Sequence, residues 1–155
     1  MGGVFCMYLD KKIKELKELQ KEVPNQAIRI VNDNKQKILD LIRDKQLFDK
    51  GIDGTGKKLK AYSPFTVAIK RQKGEPADRT TLADTGAFYD GFDLLVTDQL
   101  SIGVFSRDSK TPKLIEKYGS DIFTFTVENN KIINEDIVLK GLTEWLLQTK
   151  TFTEI

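Results

Sequence analysis

The chain contains no histidine and only one cysteine, Cys6, among its 155 residues. Without histidine the usual neutral-pH proton carrier is missing, and so is the commonest metal ligand. One cysteine leaves no intrachain disulfide and no cysteine-rich zinc site. Neither a Ser–His nor a Cys–His catalytic pair can be built. A lone cysteine fits a reducing compartment. No apolar run approaches the ~20 residues of a membrane span, so no membrane partner is expected. The apolar run from Val4 to Leu9 is too short for the core of a secretion signal, and no basic residue precedes it. Gly2 resembles a myristoylation acceptor, but Cys6 stands where that pattern requires Ser or Thr. Met7 is an alternative start, which would leave residues 1–6 as an ill-ordered extension.

What is present is an ordinary soluble composition. Hydrophobic residues make up 39% and charged residues 31%, enough apolar content for one domain to bury its own core. The net charge of +2 is too small to imply nucleic acid or membrane by itself. Its distribution is uneven, however. Residues 50–79 carry eight basic and three acidic side chains, whereas residues 80–155 carry seven basic and twelve acidic ones.

Periodicity divides the chain into helical ends and a stranded middle. Leu9, Ile13, Leu16 and Leu19 recur at helical spacing, with Asp10 suited to a first turn. Val23-Pro24 is expected to interrupt that helix, and Pro24 to open a second one running to about Leu47 over a weak patch at Asn32-Asp33-Asn34. Glycine, proline and lysine then dominate, with Ser63-Pro64 as the cap and first residue of a short helix to about Ile69. Phe92, Leu94 and Val96, then Leu100, Ile102 and Val104, alternate as two strands around a Thr97-Asp98-Gln99 turn. Thr111-Pro112 reads as a helix start and Gly119 as its stop. A further short strand is expected through Val127, and Asn134-Glu135-Asp136 as the cap of a last helix presenting Ile137, Leu142, Trp145 and Leu146. The order is α+β: N-terminal helices, a central antiparallel sheet and a C-terminal helix. The expected division is a helical extension over residues 1–23 and one α+β domain over residues 24–155.

Three segments come close to a known chemistry. Gly51-Ile-Asp-Gly-Thr-Gly56-Lys57-Lys58 nearly matches a phosphate-binding loop, but Lys58 replaces the hydroxyl that would hold magnesium. The same stretch partly mimics a calcium loop, with Lys60 where a bidentate glutamate is required. The simpler reading of both is a glycine turn. Asp84-Thr85-Gly86 resembles the catalytic loop of retroviral-type aspartic proteases. A polar approach, KRQKGEPADRTT, and the lack of a later apolar-apolar-glycine segment at a suitable distance argue instead for a turn. The lysine-rich 57–73 stretch is a solvated loop or a contact for DNA or an acidic partner. The N-terminal stripe is either intramolecular core or a subunit contact.

Three blocks taken together, QLFDKGIDGTGKKLKAYSPFTVAIKRQKG (46–74), TLADTGAFYDGF (81–92) and KLIEKYGSDIFTFT (113–126), resemble small phage proteins of the virion-morphogenesis or tail-completion type. The likeness is greatest to those of phages and prophages of gut Bacteroides-like bacteria, and it spans about residues 25–148. The chain departs from that pattern in having Thr-Phe-Thr after Ile122-Phe123, where a glycine-leucine pair is expected. The resemblance implies a non-enzymatic structural protein, made in the host cytoplasm and built into the virion neck. It implies a homo-oligomeric ring between portal or connector and tail proteins, with no cofactor or metal and with non-specific contact to DNA in the lumen. Candidate subunit-interface or DNA-facing residues are Ile13, Leu16, Lys57, Lys58, Lys60, Lys70, Arg71 and Lys73. The alternatives are a dimeric aspartic protease using Asp84 and a DNA-binding accessory protein using the basic stretch.

Overall fold

The computed structural model describes residues 2–149. Helix α1 spans Gly2–Asp33 without a break, so Pro24 lies inside it. The expected interruption at Val23-Pro24 is therefore corrected, and Asp10 falls well past the first turn. Proline removes the donor that would bond the carbonyl of Gln20. Both Gln20 and Pro24 are exposed, so water can satisfy that carbonyl and the helix can continue. The break comes instead at Asn34, whose Nδ2 donates to the carbonyl of Ile30 at 2.8 Å and turns the chain into α2, Lys35–Asp40. Helix α2 passes into a wider π-type segment, Leu41–Lys50, which stops at Gly51.

Helix α3, Pro64–Gln72, begins as its sequence dictates, with Ser63 Oγ accepting from the amide of Thr66 at 3.2 Å. It runs three residues beyond the expected end. A one-turn helix α4, Ala87–Asp90, leads into strand β1, Phe92–Val96, which pairs antiparallel with β2, Ile102–Ser106. Phe92 and Leu94 are buried, and Val96, Ile102 and Val104 pack half-buried against the core, as the alternation requires. Leu100 belongs to the turn and is exposed. Helix α5, Thr111–Tyr118, is capped one residue early, at Lys110, and stops at Gly119.

The segment after Gly119 forms no strand. Ser120–Phe123 makes a 3-10 turn, and α6, Val127–Ile132, starts at once with Thr126 as its cap. Asn134-Glu135-Asp136 thus lies inside a continuing π-type segment, Ile133–Leu139, rather than at a cap, and α7, Lys140–Gln148, is the last described helix. The strand and cap expected here are corrected for one reason. The side chains of Thr126 and Asn129 take up hydrogen bonds that favour a helix start, as described below. The architecture is α+β, with helices at both ends and a two-stranded antiparallel hairpin between them.

The core gathers Ile38, Ile42, Leu47 and Ile122, all fully buried, around the rings of Phe88, Phe92 and Phe123. Phe88 meets Phe92 edge-on at 5.0 Å between centroids, a favoured aromatic geometry. Ile133 and Ile137 close the C-terminal side, and Gly141 lets α7 approach Ile30. No described residue ahead of Ala27 is buried.

Candidate functional site

The first of the three sequence blocks quoted above meets the third at one junction and the middle one at another. Gln46, 1% exposed, donates from Nε2 to the carbonyl of Thr124 at 2.9 Å. Its Oε1 accepts from the amide of Thr126 and from Nδ2 of Asn129, each at 3.1 Å. Asn129 Nδ2 also donates to the carbonyl of Leu41 at 3.0 Å. This buried polar latch joins the π-type segment to the start of α6, and none of its fully buried side-chain nitrogens or oxygens lacks a partner. Beside it, the amide of Gly54 donates to the carbonyl of Asp121 at 2.8 Å. A Cβ at position 54 would stand 1.8 Å from Oγ1 of Thr124, so only glycine allows this approach.

The second junction joins the first block to the middle one. Thr81 donates its amide to the hydroxyl of Tyr62 at 3.0 Å, and Thr80 Oγ1 donates to the carbonyl of Lys60 at 2.7 Å. Arg79 Nε donates to the carbonyl of Phe48 at 2.8 Å. Tyr89 donates its hydroxyl to the carbonyl of Thr81, and burial pushes its phenol pKa up. Leu82 is held between these contacts in the left-handed region at φ 55°, a strained conformation for a leucine.

A cleft of about 410 Å³ opens beside Leu82, walled by Tyr62, Ile69, Phe88, Leu114 and Tyr118. Lys70 reaches its floor, 6% exposed, donating to Glu75 at 2.7 Å and to the carbonyl of Ala83 at 2.6 Å. Burial alone would lower the pKa of this ammonium. The hydrogen bond it donates to Glu75, with the charges of Tyr62, Glu75 and Asp84, leaves it above the usual lysine value instead. At the mouth, exposed Asp84 lies 3.5 Å from Lys73 and 3.7 Å from Lys110. The cleft can seat an apolar side chain between aromatic walls. Its one buried cation is already committed, so Lys70 is no free nucleophile or base.

The residues singled out from sequence are scattered. Ile13 and Leu16 lie on α1, 48% and 43% exposed. Lys57, Lys58 and Lys60 are exposed on the loop before α3, and Arg71 is exposed on α3; none of the four has an ion-pair partner among the described residues. Lys73 is exposed and pairs with Asp84. Lys70 is corrected as a surface contact, because its ammonium is buried with Glu75. The 51–58 loop is a turn closed by its own carboxylate: Asp53 Oδ1 accepts from the amides of Thr55 and Lys57 at 2.9 and 3.1 Å. The amides that would cradle a phosphate already hold an anion of the chain itself. Thr85 Oγ1 accepts from the amide of Ala87, and Gly86, at φ 88°, turns the chain into α4. Sequence reasoning missed Gln46 and Asn129, since apolar periodicity says nothing about buried amides. The only signal was the place of Gln46 at the head of the first block.

The first part of α1 is a different kind of surface. Leu9, Ile13 and Leu16 form a half-exposed apolar stripe along one face, while Val4, 77% exposed, and Met7, 73%, stand on the opposite face. Among the described residues no group of three or more His, Cys, Asp or Glu side chains is placed to hold a metal ion, and no helix is long and apolar enough to cross a membrane. No protein-family model, curated protein or solved structure matches the chain.

Proposed function

We propose that the chain is a structural virion protein of the phage neck, a ring subunit joining the portal or connector to the tail, and not an enzyme. The observation that carries this reading is the exposed apolar stripe of α1. Leu9, Ile13 and Leu16 line one face of a helix that is already folded, and ahead of Ala27 that helix buries no described residue within the subunit. A monomer gains nothing by leaving such a face in water, at ~25 cal/mol per Å² of apolar surface, so it is a surface for another protein. The likeness of the three blocks to tail-completion proteins supports the particular assembly, and those blocks form the packed junctions of the body.

The charge split offers a second, head-to-tail contact. Lys50 and Lys73 spend part of it internally on Glu128 and Asp84. Lys57, Lys58, Lys60 and Arg71 remain for an acidic face of a neighbour, or for DNA in the lumen. Such exposed contacts are worth ~0–1 kcal/mol each, so they give register more than affinity. The test is to delete residues 1–22 in a phage that encodes the chain and image the particles. Filled heads without tails are expected. Normal virions from a phage lacking the whole gene would sink the neck role. Salt-dependent DNA binding without assembly would favour the DNA-binding alternative.

A further inference from the structure

We infer that the exposed stripe of α1 pairs with the same helix of a second copy, antiparallel, in a short two-stranded coiled coil. The stripe follows a strict three-four spacing: Cys6, Leu9, Ile13, Leu16, Gln20, Val23, Ala27 and Ile30. Those are the a and d positions of a heptad, with Leu9, Leu16, Val23 and Ile30 at d. The last two positions of the row, Ala27 and Ile30, are buried within the subunit. The seam that the fold covers at one end of α1 therefore continues in register, uncovered, through the other.

Charge on the flanking positions chooses the direction. In a parallel pair, Lys12 at g would face Lys17 at e of the other copy, and symmetry repeats that repulsion. In an antiparallel pair, e faces e, so Asp10 meets Lys17 of the second copy, and Lys17 meets its Asp10. These two side chains are available for it. The ion pairs within this part of α1 use Lys11, Lys12, Glu15, Glu18 and Lys21, whereas Asp10 and Lys17 are exposed and have no ion-pair partner among the described residues.

Length agrees with direction. When Ile13 packs on Leu16 of the second copy, Leu9 packs on its Gln20 and Cys6 on its Val23. Gly2 of the second copy then comes level with Ala27, the first buried residue of α1. The free seam is as long as the helix that would cover it. This inference rests on reading α1 as an intermolecular contact, not on the neck role, and a two-fold contact through α1 leaves the loop lysines free for a different neighbour.

Purified full-length protein decides it. Treated with a mild oxidant, the wild type has only Cys6, which in the antiparallel pair sits about 25 Å along the axis from its equivalent and cannot bond to it. Val23→Cys should crosslink to a dimer, through Cys6 of one copy and the new thiol of the other. Sedimentation equilibrium gives a second reading that needs no crosslink. Lys17→Glu should weaken association at least fivefold at low salt, and the double variant Asp10→Lys, Lys17→Glu should restore it. A wild-type dimer linked through Cys6, or an association that Lys17→Glu strengthens, means a parallel pair and overturns the proposal. Protein that stays monomeric at millimolar concentration and never crosslinks overturns it too. Particle imaging of the phage deletion is separate, so the neck role and the pairing can fail independently.

Discussion

Residues 3–26 and residues 38–129 treat their side chains in opposite ways. In the body, Ile38, Ile42, Leu47 and Ile122 are fully buried, and even the amide of Gln46 is enclosed with every group bonded. On α1 ahead of Ala27, Leu9, Ile13 and Leu16 are exposed beside lysines and glutamates paired only along their own helix. The body's contacts join segments distant in sequence, such as Lys50 with Glu128 and Gln46 with Thr126. Those of the first helix are three or four residues apart. One region encloses its apolar and polar groups, and the other leaves an apolar seam uncovered within the subunit.

If that division is right, single substitutions should differ sharply in cost between the two regions. The largest effect is expected at Gln46. Gln46→Ala strips partners from the carbonyl of Thr124 and the amide of Thr126, and should cost about 3 kcal/mol in urea denaturation. A loss under about 1 kcal/mol would mean water replaces the latch freely. Next comes Lys70→Met, which leaves Glu75 without its partner and should cost about 2 kcal/mol at pH 7. Because the folded pKa of Lys70 is raised, its contribution is complete below the unfolded value of ~10.4. It is lost as pH climbs through the folded value, so the gap between wild type and variant should narrow in strong alkali.

A smaller effect is expected at Asp93, which ties Lys35 of α2 and Arg107 after β2 to the hairpin. The hydrogen bond from Lys35 is the main cause holding its carboxyl below the usual range; burial opposes it, and the amide of Leu94 and the charges of Lys35 and Arg107 add to the lowering. Asp93→Asn should cost about 1 kcal/mol at neutral pH. With a lowered folded pKa, that contribution is present above the unfolded value of ~3.9 and fades as pH falls through the folded one. Wild-type and variant stabilities should therefore converge in acid. A gap that persists at pH 2 would mean the charge is not what matters. The smallest effect belongs to the first helix. Leu16→Ala should change monomer stability by less than about 0.5 kcal/mol, a surface cost, where a buried leucine would cost several times more.

The same division explains how much could be read from sequence. The hairpin was legible because alternation of Phe92, Leu94 and Val96 is a local signal that tertiary packing reinforces. So were the cap at Ser63 and the stop at Gly119, each a local piece of chemistry. Pro24 misled because the rule against interior proline assumes the orphaned carbonyl has nowhere to turn, and here it faces solvent. The segment around Thr126 misled because β-rich Phe-Thr-Phe-Thr-Val looks like a strand until Gln46, eighty residues away, takes its amide. Of the candidate site, the apolar stripe was visible at Ile13 and Leu16, but its exposure was not, since burial depends on what the rest of the chain brings alongside. The cleft around Lys70 had no sequence signal beyond the blocks whose meeting creates it.

The central claim is that the first helix serves contacts between subunits and the body folds without it. Deleting residues 1–22 and following urea denaturation together with sedimentation equilibrium tests it most directly. The body's stability should stay within about 1 kcal/mol of the full chain, while concentration-dependent association disappears. A deletion that unfolds the body, or a truncated chain that associates as strongly as the intact one, would contradict it.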